Sequence, residues 1–207
     1  MSRVHRPGHL ALLVAGYAGS VALYPAVPEH SNLIAFALPT AAATIYALHE
    51  RLWRRDFVRP HDRTTEATFE AILLRILIFI LALHVMVLAG LLALQRDGHG
   101  VIVVLARAVP VLLGLALASV GNLLPRLRRN LVIGIRTHRA LEDAGVWQRT
   151  NRAAGYVTVA LGLLFVAAGL LLPLGPWMGG AAGLATLVAL AIVAGQAWRV
   201  ERWQTSD

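Results

Sequence analysis

Six apolar runs, separated by polar segments, constrain the fold of this chain more than any other feature. The last four runs contain 19 to 24 residues, close to the ~20 that an α-helix needs to cross about 30 Å of hydrocarbon. The first two contain 15 and 16 residues, which predicts either short tilted spans or a hairpin that enters the bilayer and returns. The runs are Leu10–Tyr24, Leu33–Leu48, Ile72–Leu94, Val101–Leu124, Tyr156–Leu174 and Trp177–Trp198.

The composition indicates that most of the chain lies in a membrane. Hydrophobic residues make up 57% of the 207 residues and charged residues 14%, against about 25% charged residues in a soluble domain. No room is left for a large soluble domain beside the spans. Cysteine is absent, which excludes disulfides and thiolate chemistry. We therefore predict an all-α integral membrane protein with about six transmembrane helices.

The distribution of arginine predicts the orientation of these helices. The N-terminus, residues 50–71, residues 125–155 and the C-terminal tail together hold sixteen arginines, whereas the three other loops hold only Arg96. Basic loops remain on the cytoplasmic side of a membrane. Both termini are therefore predicted to be cytoplasmic, and the net charge of +8 is read as an orientation signal rather than as evidence for direct nucleic-acid binding.

We divide the chain into three predicted parts on this basis. Residues 1–56 form an N-terminal helix pair, with spans at 10–24 and 33–48. Residues 57–100 contain the third span and its flanking loops. Residues 101–207 form a core with spans at 101–124, 156–174 and 177–198.

The segment between the fourth and fifth runs, residues 125–155, contains more than a connector needs. Pro125 makes a helix unlikely to continue beyond Leu124, and the Asn122 amide can satisfy a free helix carbonyl. Arg126 begins a basic cluster suited to lipid headgroups. This segment is predicted to be a folded cytoplasmic cap, and residues 125–155 are called the cap below.

Later residues of the cap predict a short helix ahead of the fifth span. Glu142 and Asp143 would favour the positive end of its dipole. Trp147 is placed as an anchor at the membrane interface. Gly134 interrupts an apolar patch that is too short to span, and Gly155 is predicted to begin the fifth span.

Small residues predict where helices approach one another in the membrane. Gly114 and Ala118 lie four residues apart on the fourth run, and glycines repeat every seven residues on the fifth. Three glycines also open the sixth run. These glycines are Gly155, Gly162 and Gly169 on the fifth run, and Gly179, Gly180 and Gly183 on the sixth.

Two ionisable residues inside the spans are candidates for function, because burying them in hydrocarbon is costly. His84 near the middle of the third run is either a proton-sensitive or ligand-contacting group, or a neutral imidazole bonded to a neighbouring helix. Arg107 can snorkel toward Asp97, pair with another helix or bind an anion. No metal site is predicted, since Trp53 replaces the second histidine of a zinc-helix pattern that begins at His49. No catalytic arrangement and no cofactor are predicted.

The cap and its flanks resemble the SdpI family of bacterial membrane proteins. Members carry a segment of the form G-N-x-L-P-[KR], then N-x-x-x-G-[IV]-[RK]-T, then W and T-[HN]-R-x-x-G. His138 stands where the family usually has proline, and Asn151 where histidine is usual. The matching positions are Gly121, Asn122, Leu124, Pro125, Arg126, Asn130, Gly134, Ile135, Arg136, Thr137, Trp147, Thr150, Arg152 and Gly155.

The resemblance implies a role without catalysis in the bacterial inner membrane. The family is named for a protein that protects a cell from a secreted peptide toxin and, when toxin is present, retains a transcriptional repressor at the membrane. The implied partners are thus membrane lipids, a peptide toxin on the outer side and a cytoplasmic repressor. Arginines of the cap would form the surface for the repressor, and Arg136 could make a bidentate contact within the cap.

Two other functions stay open at this point. A transporter would use Pro39, His84, Arg107 and Pro110 to line a path. A membrane enzyme would place its site in the cap, with Asn122, Asn130, Arg136 and Trp147 near the headgroups.

Overall fold

The computed structural model describes residues 6–26, 32–53, 63–96 and 99–202. Within these ranges the chain forms helices and loops and contains no strand, which confirms the predicted all-α class. Two short 3-10 turns, Tyr24–Ala26 and Leu124–Arg126, lie between the helices. The helices are α1 (Arg6–Leu23), α2 (Asn32–Trp53), α3 (Arg63–Gln95), α4 (His99–Gly121), α5 (His138–Glu142), α6 (Ala144–Leu171) and α7 (Pro176–Arg202).

Among the residues that the structure describes, five segments are long and apolar enough to cross a membrane, so the chain is a multi-pass membrane protein. Among the residues described, α7 adds a shorter apolar segment, Gly183–Arg199. The count of six spans and the cytoplasmic location of both termini stay predictions. The five segments are Pro7–Ala26, Leu33–Leu52, Thr64–Gln95, Gly100–Arg126 and Ala144–Leu171.

The largest departure from the predicted boundaries is at the fifth span. The sequence predicts a start at Gly155, after a separate cap helix, but α6 runs without interruption from Ala144 through Gly155 to Leu171. An apolar run marks only the part of a helix that lies in hydrocarbon, whereas the hydrogen bonds of the helix continue into polar sequence. The cap is therefore joined rigidly to a membrane helix.

A line of glycines fixes the distance between α4 and α6. A Cβ atom added to Gly162 would lie 2.5 Å from the Gly114 carbonyl oxygen and 2.6 Å from the Ala118 amide nitrogen. A Cβ on Gly155 would lie 2.8 Å from the Gly121 carbonyl oxygen, and one on Gly169 the same distance from a carbonyl oxygen of α4. Only hydrogen fits at these points, so the helix contact predicted from the seven-residue repeat is confirmed.

The glycines of the last helix behave differently. Gly180 and Gly183 have no atom within 4 Å of an added Cβ, so the predicted helix contact at these two positions is wrong within this chain. Gly195 is equally open. Of the described helices that pack on α7, α6 makes the main contact.

The long helix α3 connects the first two helices to the cap. Its middle packs with α1 and α2 around Leu77 and Ala42. Its first turns enter the buried core of the cap through Phe69 and Ile72. Helix α3 therefore links α1 and α2 to the cap.

Gly162→Ala should lower the stability of the folded protein, because the methyl group must push two backbones apart. Overpacking of this kind costs about 1–3 kcal/mol. The matched control is Gly195→Ala, which adds the same methyl group in open space on another helix and should be neutral or slightly stabilising. Unfolding in mixed micelles at increasing dodecyl sulfate compares the two, and equal midpoints would contradict the contact.

Candidate functional site

Trp147 is the centre of the cap. Its side chain is 1% exposed and packs with Leu127, Ala140 and Val146. Its ring Nε1–H donates a hydrogen bond of 2.7 Å to the Leu127 carbonyl oxygen. The predicted role as an anchor in the lipid interface is wrong, because the ring is enclosed by protein. A buried indole needs an acceptor for its N–H, and the loop after α4 supplies it.

Asn151, one turn further along α6, holds the middle of the loop at residues 127–137, which is called the cap loop below. Its Oδ1 accepts a hydrogen bond of 2.8 Å from the Ile135 amide, and its Nδ2 donates to the Trp147 carbonyl oxygen at 3.1 Å. Gly134 passes directly over this pair with φ of +123°. A Cβ there would lie 2.5 Å from Asn151 Oδ1 and 2.9 Å from the Trp147 ring. Glycine is therefore required both for backbone conformation and for space.

The polar residues at the ends of the cap loop bond to nearby backbone groups. The Asn130 carboxamide oxygen accepts from the amides of Val132 and Ile133, both at 2.8 Å, which forms a tight turn. The Thr137 side chain caps α5 by accepting from the Ala140 amide at 3.3 Å. His138 is then the first residue of α5, a position that proline also suits. The departure from the family pattern at His138 is thus compatible with the same local structure.

Asp143 separates α5 from α6 and begins the longer helix. Its carboxylate accepts hydrogen bonds from the amides of Val146 and Gly145, and these bonds, with the charges of Arg149 and Arg129, hold the pKa of Asp143 below its ordinary value. The Asp143 cap therefore stabilises α6 above the ordinary pKa of an aspartate, and this contribution is lost as the pH falls through the lowered pKa. The predicted position at a helix start is confirmed for Asp143 and is wrong for Glu142, which is the last residue of α5.

The junction between α4 and the cap depends on Pro125 and Gly155. The Pro125 ring lies against Gly155, where an added Cβ would be 2.9 Å from its Cδ. The Pro125 carbonyl oxygen accepts from Gln148 Nε2 at 2.9 Å. Asn122 is exposed, and its backbone N–H rather than its side chain bonds to the last turn of α4, at the Ala118 carbonyl oxygen. The Asn122 side chain was predicted to satisfy a free carbonyl group of α4, but the Asn122 backbone N–H does so instead.

Exposed arginines surround this buried core. Arg136 donates from Nη1 to the Leu131 carbonyl oxygen at 2.6 Å, which is a single contact rather than the predicted bidentate one. Arg129 donates from Nη1 to the carbonyl oxygens of Leu141 and Glu142. The exposed arginines of the cap, called the arginine rim below, are Arg126, Arg128, Arg129, Arg136, Arg149 and Arg152.

His84 lies in a polar network that joins α1, α2 and α3. Pro39 has no N–H, so the Ala35 carbonyl oxygen of α2 lacks its normal helical partner. The Ser20 hydroxyl of α1 donates to this oxygen at 2.7 Å. The Nε2 atom of His84 lies 3.1 Å from Ser20 Oγ and 3.2 Å from the Gly16 carbonyl oxygen.

The direction of these bonds assigns the proton on the imidazole. The Gly16 carbonyl oxygen only accepts, so Nε2 of His84 is the donor in the bond to it. A small cavity between the three helices lies beside His84 and Pro39. The interhelical hydrogen bond predicted as one interpretation of His84 is therefore present.

Arg107 makes another interhelical bond, at the end of the bundle opposite the cap. Its Nη1 donates to the Leu172 carbonyl oxygen at 3.2 Å, at the C-terminus of α6. Cations stabilise helix C-termini, where carbonyl groups lack intrahelical donors. This agrees with the predicted pairing to another helix, whereas Asp97, the predicted partner, lies outside the described residues.

A further cluster of polar side chains, His9, His49 and Glu70, was not predicted from the sequence. His9 Nδ1 lies 3.6 Å from one Glu70 carboxylate oxygen, and His49 Nε2 lies 3.7 Å from the other. The His9 ring is also 6.0 Å from that of Tyr46. In the sequence, the orientation rule places the helix ends that carry these three residues on the same side of the membrane. That shared side is the sequence feature that could have suggested the contact. No set of three or more histidine, aspartate or glutamate side chains among the described residues could hold a metal ion.

Replacement of Trp147 by phenylalanine should loosen the cap, because the Leu127 carbonyl loses its buried donor. Leaving such a group unsatisfied costs about 1–3 kcal/mol. Hydrogen exchange of the amides in residues 127–135 should become faster in Trp147→Phe and stay unchanged in Trp198→Phe, whose ring is largely exposed. Unchanged exchange in both variants would contradict the central position of Trp147.

A double-mutant cycle tests the network at Pro39. Ser20→Ala leaves the Ala35 carbonyl without a donor and should destabilise the protein by about 1–3 kcal/mol. In a Pro39→Ala background the alanine that replaces the proline brings its own backbone N–H for the helical bond, so the same serine change should cost much less. Unfolding midpoints of the four proteins give the coupling, and an equal cost of Ser20→Ala in both backgrounds would refute it.

Comparison with known proteins gives one match. Residues 126–195 match the model of the SdpI/YfhL protein family, about a third of the chain. The matched range contains the cap loop, α5, α6 and most of α7. No curated protein and no solved structure gives a significant match. Over this segment the chain is similar to the SdpI/YfhL protein family.

Proposed function

We propose that this protein senses, or protects against, a secreted peptide toxin and holds a cytoplasmic regulator at the inner membrane. The observation that carries the proposal is the fold of the family segment. In its cap part Leu127, Val146, Trp147 and Asn151 are buried in a fixed core, and the exposed charges are mainly arginines. Such a cap offers a stable basic surface to a partner protein.

The distribution of polar contacts favours a binding role over catalysis. Asn130, Asn151 and Trp147 each bond to backbone groups within the cap. A catalytic site needs a nucleophile or base held next to a space for substrate. In the described cap these side chains are used for structure, so the proposal assigns no reaction to them.

A toxin on the outer side could affect the cap through α6. This helix runs from the Arg107–Leu172 contact to the Trp147 core without a break. A ligand shifts a protein between two states only by binding them unequally. A toxin that binds better to one α4–α6 arrangement would therefore alter the position of the cap and its affinity for the regulator.

The residues assigned to a transport path do not line one path in this structure. His84 and Pro39 border the small cavity between α1, α2 and α3. Pro110 and Arg107 lie against Gly169 and Leu172 of α6. The positions of these four residues therefore do not favour a transport function.

The proposal predicts that the arginine rim is needed for protection while the cap stays folded. Toxin-sensitive bacteria that express the wild-type protein should survive challenge with a membrane-active peptide toxin of the SdpI type. Arg126→Ala/Arg136→Ala should reduce survival at least tenfold at equal membrane abundance. The control Arg51→Ala/Arg199→Ala removes the same charge from exposed positions on α2 and α7 and should still protect.

Two results would contradict the proposal. If the wild-type protein is well inserted but gives no protection against several such toxins, the proposed immunity role is wrong. If Arg126→Ala/Arg136→Ala protects as fully as the wild type, the arginine rim is not needed for protection.

A further inference from the structure

The length of α6 fixes the depth of the cap relative to the bilayer. Its 28 residues extend about 42 Å at 1.5 Å per residue, whereas about 20 residues cross the hydrocarbon. Counted back from Leu171, the crossing part ends near Arg152, so the first two turns of α6 project beyond it. Those turns carry Trp147 and Asn151, and the cap therefore lies at the depth of the lipid headgroups.

The charge of the cap at this depth is strongly positive. The rim contributes six exposed arginines, whereas Glu142 and Asp143 are the two acidic residues of residues 125–155. The Asp143 carboxylate already accepts two amide hydrogen bonds at the start of α6. The net charge of the exposed cap surface is thus positive, which suits phosphate groups.

An apolar side chain stands among these arginines. Leu131 is 49% exposed, and its carbonyl oxygen holds the Arg136 guanidinium through Nη1. Val132 and Ile133, the next two residues, pack on the cap core instead. The tether fixes Arg136 beside an exposed leucine, and Arg129 is held in a similar way by the carbonyl oxygens of α5.

We propose that the loop from Arg126 to Arg136 binds the headgroups of anionic phospholipids in the adjacent leaflet, with Leu131 inserted among the acyl chains. Guanidinium groups match phosphate oxygens in geometry and charge, and pre-positioned ones lose less entropy on binding. An acidic protein would be attracted by the same charge, but the exposed Leu131 side chain among the arginines favours a partner that also offers an apolar phase, as a lipid leaflet does. This inference goes beyond the toxin-related function and does not depend on it.

The test uses the full chain, purified in a neutral detergent, with thermal unfolding as the measurement. Phosphatidylglycerol, phosphatidylcholine, inorganic phosphate and a polyglutamate peptide are titrated separately. Phosphatidylglycerol should raise the unfolding midpoint, and the rise should weaken with salt. Arg126→Gln/Arg136→Gln should weaken its apparent affinity roughly 25-fold, about fivefold for each charge. Leu131→Ser should weaken binding of the lipid but leave any effect of inorganic phosphate unchanged.

The control Arg51→Gln/Arg199→Gln removes two exposed arginines outside the cap and should keep the wild-type response. An equal effect of phosphatidylcholine, or an equal loss in this control, would overturn the proposed site. A stabilisation by inorganic phosphate as strong as that by lipid would show an anion site instead, and a larger effect of polyglutamate would show a surface for acidic proteins. Circular dichroism at room temperature confirms that each variant is folded before titration.

Discussion

The backbone-to-backbone contact between α4 and α6 is the constraint on which the position of the cap depends. At Gly162 and Gly155 the neighbouring carbonyl oxygens leave space only for a hydrogen atom. The cap loop begins where α4 ends and packs on the first turns of α6, so the separation of these two helices sets the space for Trp147. In a membrane such contacts rely on close packing, since lipid tails solvate apolar side chains as well as protein does.

In several places a polar side chain forms a hydrogen bond with a backbone group that has no partner within its own helix or loop. Ser20 bonds to the carbonyl that Pro39 leaves free, and Asn151 bonds to the amide of Ile135 in the cap loop. Arg107 does the same for the end of α6. In hydrocarbon an unpaired backbone group costs several kcal/mol, which explains why the Ser20 hydroxyl is buried beside Pro39 in an otherwise apolar part of the chain.

The sequence predicts the parts of the structure that follow from local physical rules. Long apolar runs give membrane helices, the seven-residue spacing of Gly155 and Gly162 gives their shared face, and Asp143 marks a helix start. What it does not predict depends on distant contacts. Trp147 suits a lipid interface as well as a protein core, and only the approach of Leu127 from the preceding loop decides between them. The Glu70 carboxylate meets two histidines from other helices, a pairing that no local pattern encodes.

Residues 125–155 form one folded unit that includes the first turns of α6, and we propose that this unit lies on the cytoplasmic side. The natural absence of cysteine allows a direct measurement with single introduced cysteines and a membrane-impermeant maleimide. Val146 is buried in the cap, whereas Arg149 is exposed one turn later. We expect Arg149→Cys to react rapidly in inside-out vesicles and not in right-side-out cells, and Val146→Cys to react only after denaturation. Equal reactivity of the two cysteines in inside-out vesicles, or labelling of Arg149→Cys from the outside, would contradict it.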